Sequence, residues 1–298
     1  VNAAQKTSWG LWLRRVGTLL SLGLFAWLIL RLDWNLVWAQ LQGVAWWAIL
    51  LAIGFYLFSQ AFNTLRWCLL LWAHEVKISF WQAFCITWSG IFASNFLPST
   101  IGGDGLRMIA IYPYTRRTTV AVGSVVLDRI INMAAMTCLL PLPLVMFGPK
   151  LNALMALALP FSPRTLTEKY FPKIAAALRE WAGRPAGLIW AFLAAWPSNL
   201  TAMFSTWLVA RQLNMDVTFG QVMAVQTVTY FLAVLPISVN GYGVREVTYT
   251  TLFAALGASL EQASALAVIT RFLIVLVTVP GAIWVAKVAA NVVEEKPS

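Results

Sequence analysis

Apolar runs close to bilayer-spanning length recur along this chain, near residues 11–30, 44–65, 81–97, 118–147, 186–210, 219–236 and 262–290. A helix needs about 20 apolar residues to cross the hydrocarbon core. Charged residues make up only 11% of the chain and hydrophobic ones 60%, with a mean hydropathy of +0.75; a soluble domain carries about 25% charged residues. In lipid, only helices and closed barrels satisfy their own backbone groups. The sequence lacks the short alternating strands of a barrel. The expected fold is all-α: a polytopic integral membrane helical bundle. Two shorter apolar pieces, 151–163 and 244–257, complete the pattern. Arg14 and Arg15 precede the first run as in a signal peptide, but no A-x-A-like site follows and Arg31 closes the run, so a retained first span is expected.

The net charge of +10 would suggest nucleic acid in a soluble protein. Here basic residues flank spans, as the positive-inside bias requires, so no nucleic-acid partner is expected. Lys6, Arg14 and Arg15 place the amino terminus on the cytoplasmic side of a bacterial inner membrane. Arg116 and Arg117, then Arg164, Lys169, Lys173, Arg179 and Arg184, mark further inside loops. Within 169–181, Tyr170, Phe171, Ile174, Leu178 and Trp181 recur at helical spacing among basic residues, a pattern expected of a helix lying on the interface. Cys68, Cys85 and Cys138 lie in or beside apolar runs and read as small buried apolar residues. The 16 tryptophans read as interfacial anchors.

A short pattern occurs twice. Residues 97–107 read LPSTIGGDGLR and residues 235–245 read LPISVNGYGVR. Leu97, Pro98, Gly103, Gly105 and Arg107 match Leu235, Pro236, Gly241, Gly243 and Arg245 at an offset of 138. Broken apolar segments at corresponding places in two halves point to a transporter's binding site. The duplication divides a single transmembrane domain, 1–298, into repeat one (about 44–163), a cytoplasmic connector (164–185) and repeat two (about 186–293). Arg66 and Lys77 put the loop before the first motif inside. The loop 211–218 before the second falls outside, so the repeats are expected to be inverted, each with a broken, re-entrant hairpin. That count needs one more crossing from 148–163. Arg129 follows Arg107 by 22 residues, and Arg271 follows Arg245 by 26.

Charge inside a span is costly and usually functional. Asp104, Arg107, Asp128, Arg129, Arg245, Glu246 and Arg271 lie in or beside apolar segments: four arginines against three acids. Internal pairing, such as Asp128 with one arginine and Glu246 with another, leaves one positive charge over, and Arg66 enlarges the excess if it faces inward. Guanidinium binds phosphate bidentately and stays charged when buried. Gly102, Gly103 and Gly105, with Gly241 and Gly243, permit turns that expose backbone N–H groups, with helices restarting at Leu106 and Val244. Asn95, Ser238 and Asn240 are expected to bond freed backbone or a headgroup sugar, and Tyr242 stands where the first motif has Asp104.

Other chemistry finds no support. The chain has no G-x-x-x-x-G-K-[ST] loop, and HEVK at the lone His74 lacks the second histidine of a zinc site. No catalytic residues, metal or cofactor are expected, and the chain reads as a non-enzyme.

Three segments together resemble the lysylphosphatidylglycerol synthase transmembrane-region family, also called the flippase-like or UPF0104 family. They are N-x-L-P-x-x-x-G-G-D-x-x-R at 95–107, V-x-D-R at 126–129, and L-P-x-S-x-N-G-x-G-x-R-E at 235–246. The resemblance spans roughly 16–290. It implies an integral membrane fold with internal pseudo-symmetry, and a role in lipid translocation. By position it implies site residues Asn95, Pro98, Gly102, Gly103, Asp104 and Arg107; Asp128 and Arg129; and Asn240, Gly241, Gly243, Arg245 and Glu246. The family's best-known members add a cytoplasmic aminoacyl-transferase domain, which these 298 residues do not contain. The expected function is that of a lipid transporter or flippase. It would move an anionic phospholipid or polyprenyl-phosphate carrier, with the headgroup held by Arg107 and Arg245 and with Arg129 and Arg271 behind them. The alternatives are a non-catalytic partner presenting lipid to a glycosyltransferase or lipid-modifying enzyme, and an enzyme acting on a lipid phosphate through Asp104, Asp128 or Glu246.

Overall fold

The computed structural model describes residues 38–39, 42–96, 100–156, 179, 181–234 and 243–285. These residues are helical and contain no strand. The helices of ten or more residues are α1 (Trp46–Ala73), α2 (Phe80–Phe96), α3 (Thr100–Thr115), α4 (Thr118–Thr137), α5 (Pro141–Ala156), α6 (Pro185–Gln212), α7 (Phe219–Val234), α8 (Val244–Ala255) and α9 (Leu260–Thr278). Four of them, α1, α4, α6 and α9, are long and apolar enough to cross a membrane, and α7 is a shorter apolar helix.

Large apolar side chains point outward: Leu50, Phe58, Trp81, Ile189, Trp190 and Phe272 are exposed. Inward-facing positions carry Ser59, Gln60, Thr64, Arg66, Asp128 and Ser198. Such a distribution suits lipid as solvent, since polar side chains must find partners within the protein.

The expected run 118–147 is two helices. The chain turns at Cys138–Leu140, so α4 ends before Pro141 opens α5. A proline lacks the N–H of a helix interior but is tolerated in a first turn. Helix α5 is itself kinked at Gly148. Residues 157–163, needed for the extra crossing, lie outside the described residues, as do the first span, Pro98, the loop 235–242 and most of the connector.

Local structure repeats along the chain. Helices α1 and α6 both have 28 residues and end 139 positions apart, at Ala73 and Gln212. Each is followed by a left-handed residue, Glu75 (φ 59) or Asn214 (φ 54). In each turn an amide donates back to the helix, Val76 to Leu71 O at 3.2 Å and Met215 to Ala210 O at 3.1 Å. An indole then ties the turn down: Trp72 Nε1 donates to Ile78 O at 2.9 Å, and Trp207 Nε1 to Val217 O at 3.0 Å. The next helix opens on a capping box in both copies, Ser79 with Gln82 and Thr218 with Gln221. Ser259 and Gln262 repeat the device at α9. Each box satisfies two amides that a helix start leaves unpaired. S/T-x-x-Q ahead of an apolar run was a readable signal for all three starts.

The chain forms two compact units. One comprises residues 1–52, 139–159 and 203–272; the other comprises 53–138, 160–202 and 273–298. In the second, α2 packs on α3 and α3 on α4. Its core includes Trp67, Leu71, Ile111, Leu127 and Trp181. Trp181 is fully buried, donates to Leu70 O at 3.1 Å and sits 4.1 Å from the His74 ring. It is therefore a core residue and not the interfacial anchor expected from its spacing. Cys138 is exposed, also against expectation, because it sits in the turn that ends α4. In the first unit, α7 packs on α8 and on α5.

Candidate functional site

The first copy of the duplicated motif falls between helices α2 and α3, and the second between α7 and α8. Helix α2 ends at Phe96 and α7 at Val234; α3 and α8 follow. Helix α3 starts at Thr100, not Leu106, so Gly102, Gly103 and Gly105 lie on a helix and do not form an open turn of amides. Gly103 serves close packing instead. A Cβ there would collide with Gly90 O and Ser94 Oγ on α2. Around Gly105 a Cβ would meet nothing within 4 Å. At the second motif, Gly243 does occupy a turn, with φ 79, ahead of α8. A left-handed φ at that position favours glycine.

The unit containing α2–α4 buries an ion network. Asp128 on α4 is 2% exposed and accepts from two arginines. Arg66 Nε on α1 reaches Oδ1 at 2.7 Å, and Arg107 NH2 on α3 reaches Oδ2 at 3.0 Å. Arg66 spends its other donors on carboxamides, NH1 on Asn132 Oδ1 at 2.6 Å and NH2 on Asn63 Oδ1 at 2.7 Å. Arg107 lies 3.7 Å from Asp104 and 4.4 Å over the Trp67 ring. Its Nε is buried and has no hydrogen-bond partner among the described residues. Asp104 is held by Arg129, whose Nε and NH2 both lie 2.9 Å from Oδ2. Among the described residues, three guanidiniums, that of Arg129 46% exposed, thus face two carboxylates.

Arg66 was the residue that sequence reasoning left out of the site. It served there as evidence for an inside loop, but it lies within α1 at 4% exposure. It cannot report on which side that loop falls. The available signal was a lone charge in the middle of a 28-residue helix with a hydropathy of 1.5.

The other unit holds a second cluster. Glu246 on α8 is 4% exposed. Its Oε2 accepts from the Gly243 amide at 2.8 Å, and its Oε1 from Arg271 Nε on α9 at 3.0 Å. Arg245 donates to the Tyr249 hydroxyl at 3.1 Å and lies 5.1 Å over that ring. Asp104 to Arg129 and Glu246 to Arg271 are both separations of 25 residues. The internal pairing considered from sequence is present for both Asp128 and Glu246.

Asn95 is not part of either cluster. It is buried and donates to Thr278 Oγ1 at 2.9 Å. Asn240 and Gly241 lie outside the described residues. Arg107 and Arg245 belong to different units.

A sequence model of the family "Lysylphosphatidylglycerol synthase TM region" matches residues 15–281. The chain belongs to that family. No individual curated protein matched it. Both charge clusters fall inside the matched span. Membership indicates a multi-pass membrane protein involved in lipid handling.

Proposed function

We propose that this chain binds an anionic, phosphate-bearing lipid within the inner membrane and moves its headgroup across, as a flippase and without catalysing chemistry. The observation that carries this reading is the guanidinium surplus around Arg107. Removing Arg107 leaves Arg66 with Asp128 and Arg129 with Asp104, one cation per carboxylate. The motif arginine is thus the charge that the network does not need for its own balance. A buried cation in a membrane protein calls for a counter-charge. A lipid phosphate supplies the missing charge and accepts bidentate hydrogen bonds from a guanidinium. The buried Arg107 Nε is a donor still to be satisfied. The family's link to lipid handling supports the same ligand class.

Proteoliposomes carrying headgroup- or tail-labelled phosphatidylglycerol, with phosphatidylcholine as control, test this directly. Wild-type protein moves the anionic lipid between leaflets. Arg107→Gln combined with Arg245→Gln abolishes movement while the protein stays folded, because Asp128 keeps Arg66 and Glu246 keeps Arg271. Folded wild-type protein that moves no anionic lipid refutes the proposal, as does a double variant of undiminished rate.

A further inference from the structure

The geometry points to a hydroxyl-recognition subsite beside Arg66, formed by Gln60, Asn132 and Asn199, which takes the polyol or sugar part of an anionic lipid headgroup. The inference rests on the proposed lipid-binding function and adds the headgroup class.

Four carboxamides line one seam of the unit that holds Asp128. Gln60 and Asn63 lie on α1, Asn132 on α4 and Asn199 on α6. Their oxygens are largely committed. Asn63 Oδ1 and Asn132 Oδ1 accept from Arg66, and Gln60 Oε1 accepts from Asn63 at 3.3 Å. Asn199 Nδ2 donates to Asn132 Oδ1 at 3.2 Å. What remains is specific: Asn132 Nδ2 and Gln60 Nε2 as donors, and Asn199 Oδ1 as acceptor. None of these three atoms meets a hydrogen-bonding group among the described residues.

None of the three is a fully buried atom, so each is open to a ligand's polar groups. Donors alone would suit phosphate. Donors together with a neutral acceptor suit hydroxyls, which both give and take a hydrogen bond. The seam adjoins the charged site through a single carboxylate. Asp128 Oδ1 faces Arg66 and Oδ2 faces Arg107. A phosphate at Arg107 with its hydroxyl-bearing substituent along the seam satisfies both sets of atoms.

Native mass spectrometry of the full chain in detergent provides the test, with an equimolar mixture of phosphatidylglycerol, phosphatidylinositol, phosphatidic acid and phosphatidylcholine. Two additional hydrogen bonds give the two hydroxylated lipids a preference of roughly five- to tenfold over phosphatidic acid. Asn199→Leu and Gln60→Leu, which leave Arg66's own partners in place, bring that preference to within about twofold without weakening phosphatidic acid binding. If phosphatidic acid binds as well as the hydroxylated lipids, and all three exceed phosphatidylcholine, the subsite is refuted while anionic-lipid binding stands. Variants that keep the preference refute it equally. Four lipids bound alike refute the anionic-lipid function and the subsite with it. The wild-type comparison decides the matter even if a leucine variant fails to fold.

Discussion

Neutralising Asp128 is the sharpest probe of the buried network. In Asp128→Asn the volume is kept, but two guanidiniums lose their shared counter-ion. Both are deeply buried, with side-chain exposures of 5% for Arg66 and 8% for Arg107. The N–O distances of 2.7 and 3.0 Å put each guanidinium in direct contact with the carboxylate. With charge centres about 4 Å apart and an effective dielectric constant of about 20, each pair is worth about 4 kcal/mol. The amide oxygen retains one hydrogen bond, and Asp104 still screens Arg107 from 3.7 Å. Removing one partner of a buried pair generally costs about 3–5 kcal/mol, and a loss of about 4 kcal/mol is the expected outcome. At roughly 2–4 °C per kcal/mol, the unfolding midpoint falls by roughly 8–16 °C. Thermal unfolding of detergent-solubilised protein, followed by size-exclusion fluorescence, measures this. Adding Arg66→Gln removes one stranded cation and supplies an amide for Asn63 and Asn132. The double variant should therefore lose less than the sum of the two single losses, by about 2 kcal/mol. An Asp128→Asn midpoint within about 2 °C of wild type, or strictly additive losses, would show that the charges are not coupled.

Other outcomes follow from the same contacts. Gly103→Ala lowers stability by about 1–3 kcal/mol through overpacking against Gly90 and Ser94, whereas Gly105→Ala is neutral or stabilising by up to about 1 kcal/mol; paired melting curves distinguish them. Glu246→Gln keeps an acceptor for the Gly243 amide but removes the negative charge facing Arg271, and costs about 3 kcal/mol in the same assay. If Glu246→Gln melts like wild type, the cap and not the ion pair is what Glu246 provides.

The two carboxylate–arginine pairs show where sequence comparison reached its limit. Aligning the motifs on their glycines gives an offset of 138, which sets Asp104 against Tyr242 and leaves the acid without a counterpart. In the structure the ion pairs repeat at an offset of 142, Asp104 with Glu246 and Arg129 with Arg271. The four-residue difference is about one helical turn. One turn restores the same helix face, so a carboxylate can move along α8 and still meet its arginine on the next helix. Letter-by-letter matching does not register that equivalence. Arg66 shows a related limit: it lies outside the duplicated pattern, and only helix packing brings it to Asp128, 62 positions away.

Composition and apolar run length determined by themselves that the chain is helical and membrane-embedded, and Pro141 marked the start of a new helix within the run 118–147. Those are local properties, set by what lipid does to an unpaired amide and by what proline and glycine do to a helix. Tertiary structure alone decided which arginine answers which acid, that Gly103 serves close packing while Gly105 does not, and that Trp181 and Asn95 are tied to distant backbone and side-chain atoms. Such choices depend on the rotation and approach of helices far apart in the chain. A change of a few ångströms in that approach exchanges one ion partner for another while leaving every local pattern intact.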